Sequence, residues 1–172
     1  SIEEEFKAQS LPIAAHRKEW TETTIRFIWN TLHASLPEIT GADIRSDVSF
    51  QLAGLPDTDH KPEVQFGMNA DAKDTSEGNE ALAILHRVCK GFIDLLFVRD
   101  VDGQKRYSIL DWKSDTLDSY GAAEVKAKVD EDYSVQRVLY SYCLIQWLKQ
   151  FYGKGTAEDL DEQQIFKEHF GG

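Results

Sequence analysis

Two acids and a lysine stand where a folded chain does not place charge without cause. Asp94 lies inside GFIDLLF and Asp111 inside ILDWKSD, both otherwise strongly apolar. A carboxylate taken out of water in such a segment needs a compensating cation or hydrogen-bond partner. Lys113 follows Asp111 by two positions, so on a strand the two side chains share a face, about 7 Å apart. Trp112 turns to the other face and leaves its carbonyl available to a metal. Two neighbouring carboxylates repel each other, and a hard divalent cation relieves that repulsion. An acid, a carbonyl and a lysine side by side suit phosphodiester hydrolysis. The cation polarises the phosphate and lowers the pKa of a bound water, and the lysine positions that water or stabilises charge on the phosphoryl oxygens. The competing reading is a plain Asp–Lys ion pair at a sheet end.

These residues need a scaffold that brings them together. GFIDLLFV, residues 91–98, reads as one strand and Tyr107 to Trp112 as a second. The Asp102-Gly103 pair between them is a strong hairpin-turn signal, so residues 90–113 read as a β-hairpin. Upstream, residues 2–9 suggest a loose helical start. A stronger helix runs from His16 to Leu36, with Ile25, Ile28, Trp29, Leu32 and Leu36 on one face, and Pro37 helps end it. Residues 44–54 alternate as a strand through Ile44, Val48, Phe50 and Leu52. Residues 55–80, rich in Asp, Pro, Gly, Asn and Thr, read as a long mobile loop. Residues 82–88 fit either a short helix or the approach to a strand. Downstream come a helix near Ala122–Val129 and a long one from about Tyr133 to Tyr152. The long helix carries Val135, Leu139, Tyr142, Cys143 and Gln146 on one face and Leu144, Trp147, Leu148 and Phe151 on another. Gly153 and Gly155 stop it, and after an acidic, polar stretch the sequence ends at IFKEHFGG with no sign of a closing element. This order predicts an α/β domain with a mixed central β-sheet flanked by helices.

Composition sets further bounds. A chain of 172 residues fits one domain, and 41% hydrophobic with 11% aromatic residues suffices for a core. No apolar run reaches the roughly 20 residues of a membrane helix, and the acidic N-terminus lacks the order of a signal peptide. Cys89 and Cys143 are far apart and read as reduced core thiols of a cytoplasmic protein. The net charge of −11 tells against a free-standing DNA binder, which needs clustered Lys and Arg. It leaves room for an acidic metal site in a larger assembly that supplies the basic surface. No Walker A motif is present, so any motor lies outside these residues.

The succession GFIDLLF, ILDWKSD and a following Q-x-x-x-Y resembles the PD-(D/E)xK nuclease superfamily. More narrowly, KGFIDLLF, LDWKSDTL, YSVQRVLYSYCLIQWL and the final EHFGG resemble the RecB nuclease domain of exodeoxyribonuclease V, over about residues 87–172. The resemblance implies a restriction-endonuclease-like fold and a Mg²⁺-dependent DNA exonuclease domain of a bacterial helicase-nuclease. On it, residues 1–172 are a single domain fragment truncated at both ends. The parent chain would act in double-strand-break repair and recombination on single-stranded ends of unwound duplex, with RecC-like and RecD-like subunits. By position, Asp94, Asp111 and the Trp112 carbonyl are the implied metal ligands and Lys113 the catalytic lysine. Gln136 and Tyr140, one helical turn apart, are implied to face the site and help position the DNA or the lysine. Two departures stand out. The family's upstream metal-binding histidine has no matching context, since the surroundings of His16 and His33 differ and His60, His86 and His169 read as surface or loop residues. Ser49 stands before Phe50 where the family often has an acid, with Asp47 the nearest one. Nuclease branches with an iron–sulfur cluster need four cysteines and are excluded; the AddA branch fits slightly less well than RecB. The alternative is a catalytically silent nuclease-fold module that binds DNA or partner subunits.

Overall fold

A computed structural model describes residues 16–41, 43–67, 90–153 and 160–172. The chain divides into two compact units, Ser1–Glu38 with Arg45–Leu55, and Ile39–Ile44 with Pro56–Gly172. Among the described residues there are four α-helices and five strands: α1 (Arg17–Leu32), β1 (Leu36–Thr40), β2 (Asp43–Phe50), β3 (His60–Gly67), β4 (Lys90–Val101), β5 (Gln104–Leu110), α2 (Ala122–Asp132), α3 (Ser134–Gly153) and α4 (Glu162–His169). The α/β class agrees with the sequence. The sheet is not the single mixed one expected. The described strands form a two-stranded sheet, β1-β2, and a three-stranded antiparallel sheet, β3-β4-β5. Among the described residues parallel pairing is confined to a bridge between Tyr107 and Phe170, where Gly171 N–H donates to Tyr107 O at 2.8 Å and Ile109 N–H to Gly172 O at 2.7 Å.

The central hairpin forms as its turn chemistry dictates. Asp102 and Gly103 both have positive φ, 55° and 81°, as a two-residue turn matching the strand twist requires. Asp100 Oδ1 accepts from Gly103 N–H at 2.9 Å and steadies the turn. The resulting register runs from Val101↔Gln104 to Leu95↔Leu110. β5 therefore starts earlier than the Tyr107–Trp112 strand expected and ends at Leu110, so Asp111 and Lys113 lie just beyond it.

Part of the expected 55–80 loop is strand β3, paired antiparallel with β4 from His60↔Phe97 to Gly67↔Lys90. Its sequence hides it. Pro62 is tolerated only because β3 is an edge strand, and the pairing skips Glu63, which has φ 51°. Only Val64 and Phe66 supply apolar alternation. Opposite Phe66 stands Gly91, where a Cβ would come within 2.5 Å of the Phe66 ring, so a side chain at residue 91 would displace that ring. The 44–54 strand ends at Phe50 and is followed by a single 3-10 turn, Leu52–Gly54. β1 was not anticipated, since Pro37 marked only a helix end.

The core of the second unit gathers Leu144 and Leu148 of α3, Ile165 of α4 and Phe170, with Leu96, Tyr107 and Ile109 of the hairpin packed against them. Thus α3 lies on the sheet face that carries Leu96, Ile109 and Tyr107. α4, unanticipated because it is short and mostly polar, is held by Asp161, whose carboxylate accepts from Gln163 N–H at 3.3 Å, and by burial of Ile165. Of the expected α3 faces, Cys143, Leu144 and Leu148 are buried, whereas Val135, Trp147 and Phe151 are exposed. The apolar stripe of α1 contains no buried residue: Ile25, Ile28 and Trp29 are exposed. Periodicity shows which residues share a face, not whether anything covers it. Cys143 is a buried thiol, as expected. The helical start at 2–9, the 68–80 part of the loop, residues 82–88, His86 and Cys89 lie outside the described residues. No helix among the described residues is long and apolar enough to cross a membrane.

Leu148, with 0% of its surface exposed, is the best-enclosed core side chain. Leu148→Ala is expected to lose about 2–5 kcal/mol in urea denaturation. Val135→Ala on the same helix, at a side chain 73% exposed, should change stability by about 0.5 kcal/mol or less.

Candidate active site

The β4–β5 register leads one step beyond Leu95↔Leu110 to Asp94 opposite Asp111. Residues directly opposite on an antiparallel pair share a face, with Cβ atoms about 4.5–5.5 Å apart. Backbone pairing stops here because a side chain takes over: Asp94 Oδ2 accepts from Trp112 N–H at 2.7 Å. That bond holds the first residues after β5 against the end of β4. It also involves Trp112 through its N–H, and leaves the carbonyl assigned to it above pointing to no described donor.

Lys113 turns back onto Asp111. Its ammonium pairs with Asp111 Oδ2 and donates to Gln136 Oε1 at 2.7 Å. A lysine can only donate, so the Gln136 amide must aim its oxygen at Lys113 and its nitrogen elsewhere. Gln136 Nε2 accordingly donates to Asp111 Oδ1 at 3.3 Å and to the Tyr140 hydroxyl at 2.8 Å. Tyr140 in turn donates to the Phe92 carbonyl at 2.9 Å, which ties α3 to β4 two residues before Asp94. Phe66 of β3 packs edge-on against the Tyr140 ring, centroids 5.1 Å apart. Gln136 and Tyr140 lie one turn apart on α3; Gln136 is bonded to Asp111 and Lys113, and Tyr140 to Gln136. Asp111, Lys113, Gln136 and Tyr140 form one bonded cluster, and the Asp94 side chain joins it through the backbone N–H of Trp112.

Three participants were not anticipated. The Lys113 ammonium lies 4.2 Å from the centroid of the Tyr133 ring, a cation–π contact. The Tyr133 hydroxyl donates to Asp115 Oδ2 at 2.6 Å, and Lys128 of α2 pairs with Asp115 at 3.5 Å. The Tyr133 bond, and then the Lys128 charge, hold the Asp115 carboxyl below the usual carboxylate range, against desolvation that raises it. The same bond pushes the Tyr133 phenol up. Lys128 is itself raised, chiefly by its bond to Asp132. A sequence signal existed: Tyr133 stands one helical turn before Gln136, and Asp115 lies two residues after Lys113.

The Asp111–Lys113 pair is partly exposed, with side-chain exposures of 19% and 33%. Ion pairs in such settings contribute about 0–1 kcal/mol, so folding stability does not account for the cluster. Asp111 Oδ2 is shielded from water and, although the ammonium lies against it, receives no directed hydrogen bond. This oxygen, the Asp94 carboxylate and the Trp112 carbonyl are all hard donors. Mg²⁺ is commonly held by one or two carboxylates with water completing its shell, so these residues fit it. Among the described residues no group of three or more His, Cys, Asp or Glu side chains gathers in a way that could hold a metal ion. The described histidines have local partners instead: His16 beside Glu19, His33 stacked on Trp29, His60 on the Pro56 carbonyl, and His169 on the Lys105 carbonyl and the Tyr152 ring. No protein-family model matches this chain, and no curated protein matches it.

The lowered Asp115 pKa has a thermodynamic consequence. Its contribution to stability is fully present above the ordinary carboxyl value and is lost as pH falls through its lower value in the folded chain. Urea denaturation of wild type and Asp115→Asn is expected to show the wild type's advantage at neutral pH, shrinking as pH drops below about 4. An advantage that grows on acidification would contradict the assignment.

Proposed function

We propose that this chain is the nuclease part of a bacterial RecB-like helicase-nuclease: a Mg²⁺-dependent exonuclease domain that hydrolyses DNA phosphodiesters in double-strand-break repair and recombination. The observation that carries the reading is the hairpin register setting Asp94 opposite Asp111, with Lys113, Gln136 and Tyr140 joined to that pair. Likeness of the sequence motifs to the RecB nuclease domain supports it further. RecC-like and RecD-like subunits would be partners of the parent chain, and single-stranded ends the substrate.

Asp94, Asp111 and the Trp112 carbonyl would hold the Mg²⁺. When bound, it supplies Lewis-acid polarisation of the phosphate and an acidified water. The protein's own residues do the rest. Gln136 fixes the Lys113 ammonium through its Oε1 while bonding Asp111 and Tyr140 through its nitrogen. Lys113 is thereby held beside the acids, where a positive charge stabilises negative charge developing on a phosphoryl oxygen. Tyr140, anchored on the Phe92 carbonyl, keeps Gln136 in that orientation. The excess of acidic residues is no help to DNA binding, so the local ammonium and a basic surface elsewhere in the parent would have to offset it.

The test is degradation of linear single-stranded DNA in Mg²⁺ by wild type, Asp111→Ala and Lys113→Ala. Each substitution is expected to cost about 10²-fold or more in rate. Because the pair is partly exposed, each should change stability by only about 1 kcal/mol or less. A large fall in melting temperature for Asp111→Ala in metal-free buffer would make Asp111 a structural residue. Cleavage that survives Asp111→Ala would place the chemistry elsewhere. No cleavage by the wild type, nor by a chain extended at both ends, would favour the silent module that binds DNA or partner subunits.

A further inference from the structure

We infer that Tyr133, anchored by Asp115, is a positioning residue for Lys113: its ring face holds the lysine ammonium in the site when Asp111 is engaged elsewhere. This rests on the proposed nuclease reading for its functional part.

The ammonium has three neighbours of different kinds: the Asp111 carboxylate, the Gln136 carbonyl oxygen and the Tyr133 ring. Whatever draws on the Asp111 carboxylate, a divalent cation above all, competes with Lys113 for it. A lysine tethered only by that carboxylate would then swing into water on a flexible four-carbon stem. Gln136 and Tyr133 do not compete for a cation bound between two carboxylates, so they remain as the hold on Lys113. A ring face attracts an ammonium through its quadrupole without taking up a proton or neutralising the charge. The charge therefore stays available to a phosphoryl oxygen.

The ring is itself fixed. Tyr133 lies between the end of α2 and the start of α3, and its hydroxyl donates to Asp115 Oδ2 at 2.6 Å. Asp115 is held in turn by Lys128, which also pairs with Asp132 at 2.5 Å. The Asp115 backbone carbonyl accepts from the Tyr120 hydroxyl at 3.2 Å. Asp115 lies on the same short segment as Lys113. One bond thus orients the ring and holds the segment that carries the lysine. The raised phenol keeps Tyr133 in its neutral, donating form across the neutral range.

Two variants separate the ring from the hydroxyl. Tyr133→Phe keeps the ring and loses the Asp115 bond; Tyr133→Leu loses both. The first readout needs no activity: the NMR signals of the Lys113 ε-methylene in the full chain. A proton over a ring face is shifted upfield, so the shift is expected in the wild type, reduced or retained in Tyr133→Phe, and absent in Tyr133→Leu. The second is steady-state cleavage of single-stranded DNA in Mg²⁺. Here Tyr133→Leu is expected to lower kcat about tenfold with KM changed less than about threefold, and Tyr133→Phe to fall between it and the wild type. An identical Lys113 shift in wild type and Tyr133→Leu overturns the inference, as does an unchanged kcat in an active enzyme. If neither the wild type nor a chain extended at both ends cleaves DNA, the nuclease reading fails, and the NMR arm alone decides whether Tyr133 places Lys113.

Discussion

The site depends on one register. Asp102 and Gly103 turn the chain with two consecutive left-handed residues, and the rungs that follow are counted from that turn. Seven paired rungs later the count reaches Asp94 opposite Asp111. A slip of one residue would send one acid to the opposite face and dissolve the pair. The packing enforces the same choice, because the register that pairs the acids also presents Leu96, Ile109 and Tyr107 to the core formed by α3 and α4. The site is thus specified by burial several residues away from it, where the apolar contacts are.

Two kinds of interaction complete the arrangement. Apolar packing of Leu144 and Leu148 sets α3 on the hairpin, and further toward its N-terminus Gln136 reaches Asp111 and Tyr140 the Phe92 carbonyl. Polar bonds then tune positions that packing leaves loose. Gln136 carries the most of this, since a single amide meets a carboxylate, an ammonium and a phenol, and only one orientation of the amide satisfies all three. None of the charged contacts is enclosed enough to contribute strongly to folding.

The legible parts of the sequence were those where local chemistry and burial agree. The hairpin announced itself through Asp102-Gly103 between two apolar runs, and α2 and α3 through period and stops. Asp94, Asp111 and Lys113 stood out because charge in an apolar strand demands an explanation, while Gln136 and Tyr140 were singled out only by motif resemblance. β3 was hidden by Pro62 and by a ladder broken at Glu63, features an edge strand tolerates and a central one does not. α4 was hidden because a short helix needs only one well-buried residue, Ile165, and a good cap. The exposure of α1 was illegible since an apolar stripe does not say what meets it. Tyr133 and Asp115 went unnoticed because each is unremarkable alone; only the fold brings the ring under the ammonium.

The last residues of the chain have a consequence for how the site answers its surroundings. Phe170 to Gly172 run along the free edge of β5, so that strand is laddered by backbone bonds on both sides, and Arg106 reaches across to the Lys167 and Phe170 carbonyls. The segment from Asp111 to Tyr120 has no such ladder; its hold on the rest is through the Asp94, Asp115 and Lys113 side chains. Neutral backbone ladders are indifferent to dissolved salt, whereas exposed ionic contacts are screened by it within about 10 Å at 0.1 M. The two halves of the site therefore belong to different electrostatic regimes. Asp94 rides on a part of the protein that ionic strength leaves alone, and Lys113 on a part that ionic strength loosens.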